Sequence, residues 1–392
     1  MTFIGDQGRD YLAARDMLLT GKWPLVGIPS SVPWLFQGSL FIWFIALALK
    51  LGSFNPVAPA ILTSTLGVLT VYLTYKLAKS FTDLKPALVT ALVAATSPLI
   101  VLHSRMPYHI SPIPLFSILY LIALSSNSIL WSFFLSGVLL QLELTTLPLL
   151  LLAIYHFYKQ KIKFSPKFLV FFLPFLPKII YDFNHGFKQT LGFAAWLGYR
   201  LLSFINPTSD HGLGQASRIN VLKTIFKYYQ KFVAWDQPLI AGLVALLVIT
   251  SLVKSKNKHK KLITNFILLN FLAFFIHGGP SEAYFPVLLP IFAISIGLAL
   301  HHYKKPLLYL SFIILALYNS YYLVKHDFIS YGPTLSLRLN VVKMIKSKNT
   351  PYQLKNPEEV EFKSHLDNYR YLLWWQNFDE DKTSNLHITI YE

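Results

Sequence analysis

Between Asp6 and Asp16 the chain places three of its 18 carboxylates, with Arg9 standing between the first two. Asp6 and Asp10 are four residues apart and share one face if this stretch is helical. A carboxylate in a wet, shielded pocket can take a proton from an attacking hydroxyl, and a neighbouring guanidinium can hold an anion. The same spacing also fits an acidic first turn capping a surface helix. Spacing alone leaves both readings open.

Other polar clusters follow further along the chain. In His103-Ser104-Arg105-Met106-Pro107-Tyr108-His109, a lone arginine flanked by histidines suits a phosphate in the headgroup layer, though an interfacial arginine that snorkels would look the same. Tyr181-Asp182-Phe183-Asn184-His185-Gly186-Phe187-Lys188 could hold a metal or an anion, or could simply end a helix in a polar loop. Glu282, in Pro280-Ser281-Glu282-Ala283-Tyr284-Phe285-Pro286, is functional or merely interfacial. His185 with Glu282 supplies two metal ligands, too few to define a site. Glu143 lies in an apolar context, where an acid is a functional candidate by default, unless it only satisfies a helix break. With no cysteine there is no thiolate nucleophile, disulfide or cysteine zinc site. No Gly-rich phosphate loop, Walker motif or internal repeat is present.

The elements that must position these groups are apolar. Of 392 residues, 54% are hydrophobic, 16% aromatic and only 14% charged, the signature of a polytopic membrane protein surrounded by lipid. The net charge of +17 does not indicate nucleic acid, because the lysines sit in short clusters between apolar runs rather than on one face. Those runs cover 34–51, 56–78, 86–102, 111–125, 129–142, 144–158, 168–181, 238–253, 262–277, 284–300 and 306–323. The stretch 129–158 reads as two short helices or one long one. Lysines cluster at 76–85, 159–167, 254–261 and 304–305, and by the positive-inside rule all four face the cytoplasm. The opposite, outer side then receives 103–110, 182–237, 278–283 and the tail.

That arrangement puts the acidic start outside only if 34–51 does not span, so 34–51 reads as a juxtamembrane or re-entrant element. An external start suggests that a first transmembrane helix is missing ahead of it, and no cleavable signal peptide is visible. The expected organisation is an external loop and juxtamembrane helix over 1–55, a transmembrane bundle over 56–325, and an external soluble module over 326–392. The module carries Tyr369-Arg370-Tyr371-Leu372-Leu373-Trp374-Trp375 and a strand signal near Leu386–Tyr391.

Taken in order, several of these segments resemble the integral-membrane glycosyltransferases of the GT-C fold, of the protein O-mannosyltransferase and aminoarabinose-transferase type. Asp6-Gln7-Gly8-Arg9-Asp10-Tyr11 with Gly21-Lys22-Trp23-Pro24-Leu25 resembles that family's first external loop. Gln37-Gly38-Ser39-Leu40-Phe41 resembles its juxtamembrane Pro-Leu-Tyr-Tyr element, and Arg105–His109 occupies its second external loop. Asn184-His185-Gly186-Phe187, Tyr284-Phe285-Pro286-Val287-Leu288-Leu289-Pro290 and Tyr331-Gly332-Pro333-Thr334-Leu335 resemble later landmarks. The resemblance implies an all-α membrane fold of about ten to eleven hydrophobic helices. It also implies a polyprenyl-phosphate sugar donor, inverting transfer to a protein, lipid or glycan hydroxyl, and an active site facing outward from the plasma membrane. Asp6 would be the catalytic acid. Arg9, Asp10, Gln37, Arg105, His109, His185, Lys188 and Glu282 form the candidate set for substrate and donor phosphate, with Arg105 or Lys188 meeting the leaving phosphate. The resemblance leaves room for a divalent metal without naming its ligands.

The chain departs from the family in four places. Gln7 stands where many relatives have Glu, Tyr108-His109 where a second acid is expected, Gln37 where some carry a basic residue, and the first helix is absent. Two rival readings remain: a transporter or flippase of lipid-linked sugars, which usually shows repeat symmetry, and an inactive relative of the family.

Overall fold

The computed structural model describes the chain apart from residues 31–33, 164, 206–217, 258, 331, 357–364, 382 and 391–392, so Lys258, Tyr331 and Tyr391 lie outside the described residues. The helices in order are α1 (Gly5–Thr20), α2 (Leu40–Leu51), α3 (Ala58–Phe81), α4 (Leu84–Thr96), α5 (Pro98–Ser104) and α6 (Ile113–Ser125). Next come α7 (Ile129–Leu142), α8 (Leu147–Lys159), α9 (Leu176–Asn184), α10 (Lys188–Ile205), α11 (Arg218–Val233) and α12 (Pro238–Lys254). The last are α13 (Lys260–His277), α14 (Leu289–Tyr303), α15 (Pro306–Lys325), α16 (Leu335–Ser347) and α17 (Asp367–Trp375). The only sheet among the described residues pairs β1 (Gln353–Lys355) with β2 (His387–Thr389) in parallel, at the strand signal of the tail.

This is an all-α, multi-pass membrane fold. By length and composition, α3, α13, 282–303 and α15 are each able to cross a bilayer. The pairs α4–α5 and α11–α12 are apolar enough together but bend by 59° and 96°, as a broken span or a re-entrant loop does. Of the two readings open for 129–158 the structure has the two short helices, and the run 168–181 does not form a single α-helix. The run 129–158 splits because Glu143 adopts an extended conformation (φ −151°, ψ 120°) between α7 and a 3-10 turn at Leu144–Thr146. The run 168–181 begins as a 3-10 helix over Pro166–Phe175, since Pro174 lacks the amide an α-helix would need, and only then becomes α9. Helix α2, with 12 residues, spans about 18 Å, well short of a hydrocarbon core.

The lysine-rich ends converge. Asp83, between α3 and α4, pairs with Lys304 at 3.3 Å and with His301 at 3.1 Å. Asn257, in the cluster after α12, donates to the Phe81 carbonyl at 2.7 Å, and His259 stacks on Phe81. The end of α8 meets the α6–α7 turn through His156 and Asn127 at 3.0 Å.

The other end of α3 carries α1 and the tail. Phe3, Tyr11 and Tyr371 are fully buried and meet edge to face, with centroids 5.1 Å apart for Phe3–Tyr11 and 5.0 Å for Tyr11–Tyr371. Each such buried ring contributes roughly 2–3 kcal/mol. Tyr11 and Tyr371 donate to the carbonyls of Pro56 and Phe54, which fixes α1 and α17 against the start of α3. Arg338 and Asn368 both donate to the Phe3 carbonyl. Helix α17 crosses α1 at Gly8 so closely that the Asn368 backbone leaves no room for a Cβ there. The acidic helix is therefore held in place by the tail.

Candidate functional site

Helix α1 starts at the sequence that drew attention first, and its opening turn explains Gln7. The Gln7 side chain accepts the Ile4 amide at 2.9 Å, one half of a capping box, and is fully buried. Gln7 thus closes the helix end, while Asp6, in the exposed first turn where free N–H groups favour an anion, stays partly open to solvent. Asp6 Oδ1 lies 3.3 Å from Arg9 Nη2, and the Tyr108 hydroxyl donates to Oδ2 at 3.4 Å. Burial, with Asp6 and Asp10 adding to it, pushes the Tyr108 phenol well above its ordinary range, so it remains a donor.

Asp6, Arg9 and Tyr108 form one wall of a cavity of about 440 Å³. A second wall is the segment 27–38. The two stretches on either side of residues 31–33 pair through Gly27 N to Gln37 O, Gln37 N to Ile28 O and Ser30 N to Leu35 O. Gly38 donates to the Gln141 carbonyl at 2.8 Å, and Gln141 leaves no space for a Cβ at 38. From the other side Gln189 binds Phe36 N and the Trp34 carbonyl, and Lys178 Nζ donates to the Phe36 carbonyl at 2.7 Å. Asp182 anchors this support by accepting the amides of Gln189 and Thr190, both at 2.8 Å.

Glu143 and His109 close the floor, with His109 Nε2 3.4 Å from Glu143 Oε2. Glu143 both caps the break and faces the cavity: its Oε1 accepts the Thr145 amide at 3.2 Å, while Gln37 Nε2 donates at 3.5 Å to Oε2, the oxygen that faces His109. The remaining wall comes from Trp196 and Arg200 of α10, His277 at the end of α13 and Tyr284 in the 3-10 turn Glu282–Tyr284. Arg200 is 5% exposed and donates from Nη1 to the His277 carbonyl at 3.0 Å, while its buried Nε makes no hydrogen bond. Burial lowers its pKa, but a guanidinium stays charged in any protein setting. Tyr284 and His277 Nε2 stand 3.1 Å apart.

Next to this cavity, across Leu144, runs an apolar groove of about 320 Å³ lined by Leu140, Leu147, Phe171, Phe175 and Phe193. Lys178 and Asp182 are its polar members.

Of the residues singled out from the sequence, the cavity brings together Asp6, Arg9, Gln37 and His109, with Glu143. Asp10 lies behind the wall, fully buried. Arg105 turns to Phe328, donating to its carbonyl at 3.2 Å and stacking over its ring. His185 stacks on Tyr181 and bonds its carbonyl, and it is exposed with Lys188 outside the cavity. Glu282 turns to Tyr228 and Lys231 of α11, although Ser281 and Ala283 beside it face the cavity. Arg200, His277, Trp196 and Tyr284 are absent from the sequence-derived set. The signal for Arg200 was present: a single arginine in the apolar run Gly192–Ile205. Among the described residues no three His, Asp or Glu side chains stand together in a way that could hold a metal ion, so these residues do not fit a divalent centre.

No protein-family model and no curated protein matches the sequence. In three dimensions the chain is similar to crystal structures of ArnT from Cupriavidus metallidurans, one bound to undecaprenyl phosphate and one in the apo state. Each aligns over 94% of this chain and 80% of ArnT with a TM-score of 0.60, at 14% and 13% identity. The likeness is one of fold: the chain shares the all-α membrane arrangement of ArnT, the fold that the resemblance implied.

Proposed function

We propose that this chain is a glycosyltransferase that moves a sugar from a polyprenyl-phosphate donor to an acceptor hydroxyl in the cavity between α1 and α10. The observation that carries this reading is the pairing, in one cavity, of a partly open carboxylate (Asp6) with a largely buried guanidinium (Arg200). An apolar groove alongside suits an isoprenoid tail, as does the fold shared with an undecaprenyl-phosphate-bound protein.

The step balances simply. The acceptor oxygen attacks the anomeric carbon as its proton passes to the Asp6 carboxylate. The bond from that carbon to the phosphate oxygen breaks, and the electron pair leaves on the lipid phosphate. Arg200 meets the growing charge, and low solvent access makes that interaction stronger than it would be in water. Tyr108 and Arg9 hold the Asp6 carboxylate in place. Inversion at the anomeric carbon follows from attack opposite the leaving phosphate.

Purified protein in lipid vesicles, given synthetic polyprenyl-phosphate sugars and membrane acceptors, should transfer sugar and release polyprenyl phosphate in equal amounts. Movement of the intact lipid-linked sugar across the vesicle membrane without cleavage would overturn the reading in favour of a flippase.

The cavity would face outward. In support, the lysine clusters at 76–85, 254–261 and 304–305 meet at the opposite end of α3 from α1, and cytoplasmic faces are the lysine-rich ones. The chain has no cysteine, so single cysteines can be labelled without background. Cysteines at positions 185, 282 and 340 should react with an impermeant reagent in intact cells, and those at 163 and 256 should not. Labelling at 256 from outside would reverse the orientation.

A further inference from the structure

Asp10 is the acid of the first helix for which the transfer chemistry has no use. It lies one turn from Asp6, is 0% exposed, and neither carboxylate oxygen accepts a hydrogen bond. Desolvating a carboxylate without such partners is costly, and proteins usually avoid the cost by keeping the group protonated. The nearest cation is Arg9, and its placement is divided. Its Nη2 is 3.3 Å from Asp6 Oδ1, while its Nε, which makes no hydrogen bond, is 4.0 Å from Asp10 Oδ1. One guanidinium thus lies between two carboxylates, one at the cavity and one sealed behind it.

We propose that Asp10 is a positioning residue for Asp6: neutral, it leaves Arg9 on Asp6; ionised, it draws Arg9 inward and frees the Asp6 carboxylate to accept a proton. This rests on the reading of Asp6 as the general base. A base clamped by a guanidinium is a weaker base, so the switch changes the rate and not the architecture.

The surroundings set where the switch turns. Burial raises the Asp10 pKa to about 7, with Asp6 acting in the same direction and Arg9 and His109 opposing it. Tyr11 on α1 and Tyr108 on the α5–α6 loop also face it, and both are held neutral by burial. On α17, Asp367 is paired with Arg370 at 3.1 Å, and α2 carries only the exposed Lys50. Glu143 is engaged with His109. Because the folded pKa is raised, Asp10 is neutral below about pH 7 and ionised above it. Transfer should therefore rise as pH passes through that value.

Two measurements on the full chain in lipid nanodiscs test this. Infrared difference spectra across a pH titration need no substrate. They should show a protonated carboxyl band that persists to about pH 7 and is missing in Asp10→Asn. The Asp6 band, assigned with Asp6→Asn, should shift as the first band disappears, and it should stop shifting in Asp10→Asn. In the transfer assay, wild type should show a rising limb near pH 7. Asp10→Asn should be flat and about tenfold slower than wild type on the alkaline side, as expected for a base that stays clamped. Asp10→Glu should restore the limb.

Absence of the high-pH carboxyl band in wild type overturns the proposal whatever the activity, as does an Asp10→Asn variant with an unchanged limb and rate. If wild type transfers no sugar, the general-base reading fails, and the infrared shift of Asp6 still decides whether Asp10 governs the position of Arg9.

Discussion

Asp6→Asn should abolish sugar transfer, lowering turnover on the order of 100-fold or more at matched protein level. Removing one carboxylate oxygen keeps the shape of the side chain and leaves groups for Arg9 and Tyr108 to contact, but it removes the proton acceptor. The helix should be undisturbed, because its cap is made by Gln7 and not by Asp6. Expression and melting temperature should stay close to wild type. Normal turnover in Asp6→Asn would transfer the role to Glu143, the other carboxylate that lines the cavity.

Arg200→Ala should cost about as much, by a different route. If Arg200 meets the charge that develops on the leaving phosphate, its loss should lower kcat as well as raise KM for the lipid donor, with a combined fall in kcat/KM of roughly 100-fold. Arg200→Lys should recover little of this, because an ammonium cannot bond the His277 carbonyl and present a second donor to the cavity in the same planar geometry. Arg105→Ala is the comparison. Arg105 is committed to Phe328, so its loss should leave donor dependence near normal. A larger defect in Arg105→Ala than in Arg200→Ala would mean that the phosphate binds at the α5–α6 loop instead.

Much of the fold was readable because membrane helices advertise themselves. Ten of the apolar runs coincide with helical segments, and unbroken hydropathy is a strong signal where lipid is the solvent. The errors fell where backbone chemistry overrules hydropathy, as at Pro174, which turns the start of 168–181 into a 3-10 helix. Helices α10 and α11 were not visible as apolar runs because polar residues interrupt them, yet α10 supplies Arg200. The candidate cavity was legible where it is local in sequence, in the spacing of Asp6 and Arg9, which both line it. It was not legible where it depends on which way a side chain turns. His185, Lys188 and Glu282 are polar residues near helix ends, as Arg200 and His277 are, and only the packing of α10 against α13 and of α11 beside Glu282 separates the two groups. Gln7 shows the same limit: a departure from the expected acid became intelligible only once its side chain was seen to close the helix end.

The contact between the Phe3 carbonyl and Arg338 joins positions 335 residues apart in sequence. On the ribosome these partners are made far apart in time. The helix bearing Asp6 emerges before the spans behind it, and must wait until nearly the whole bundle has been threaded into the bilayer before α16 and α17 arrive to seat it. Closing so long a loop is slow and comes late. The candidate cavity is therefore completed only after the bundle is in place, and nascent chains halted within the bundle lack the contacts that seat its first wall.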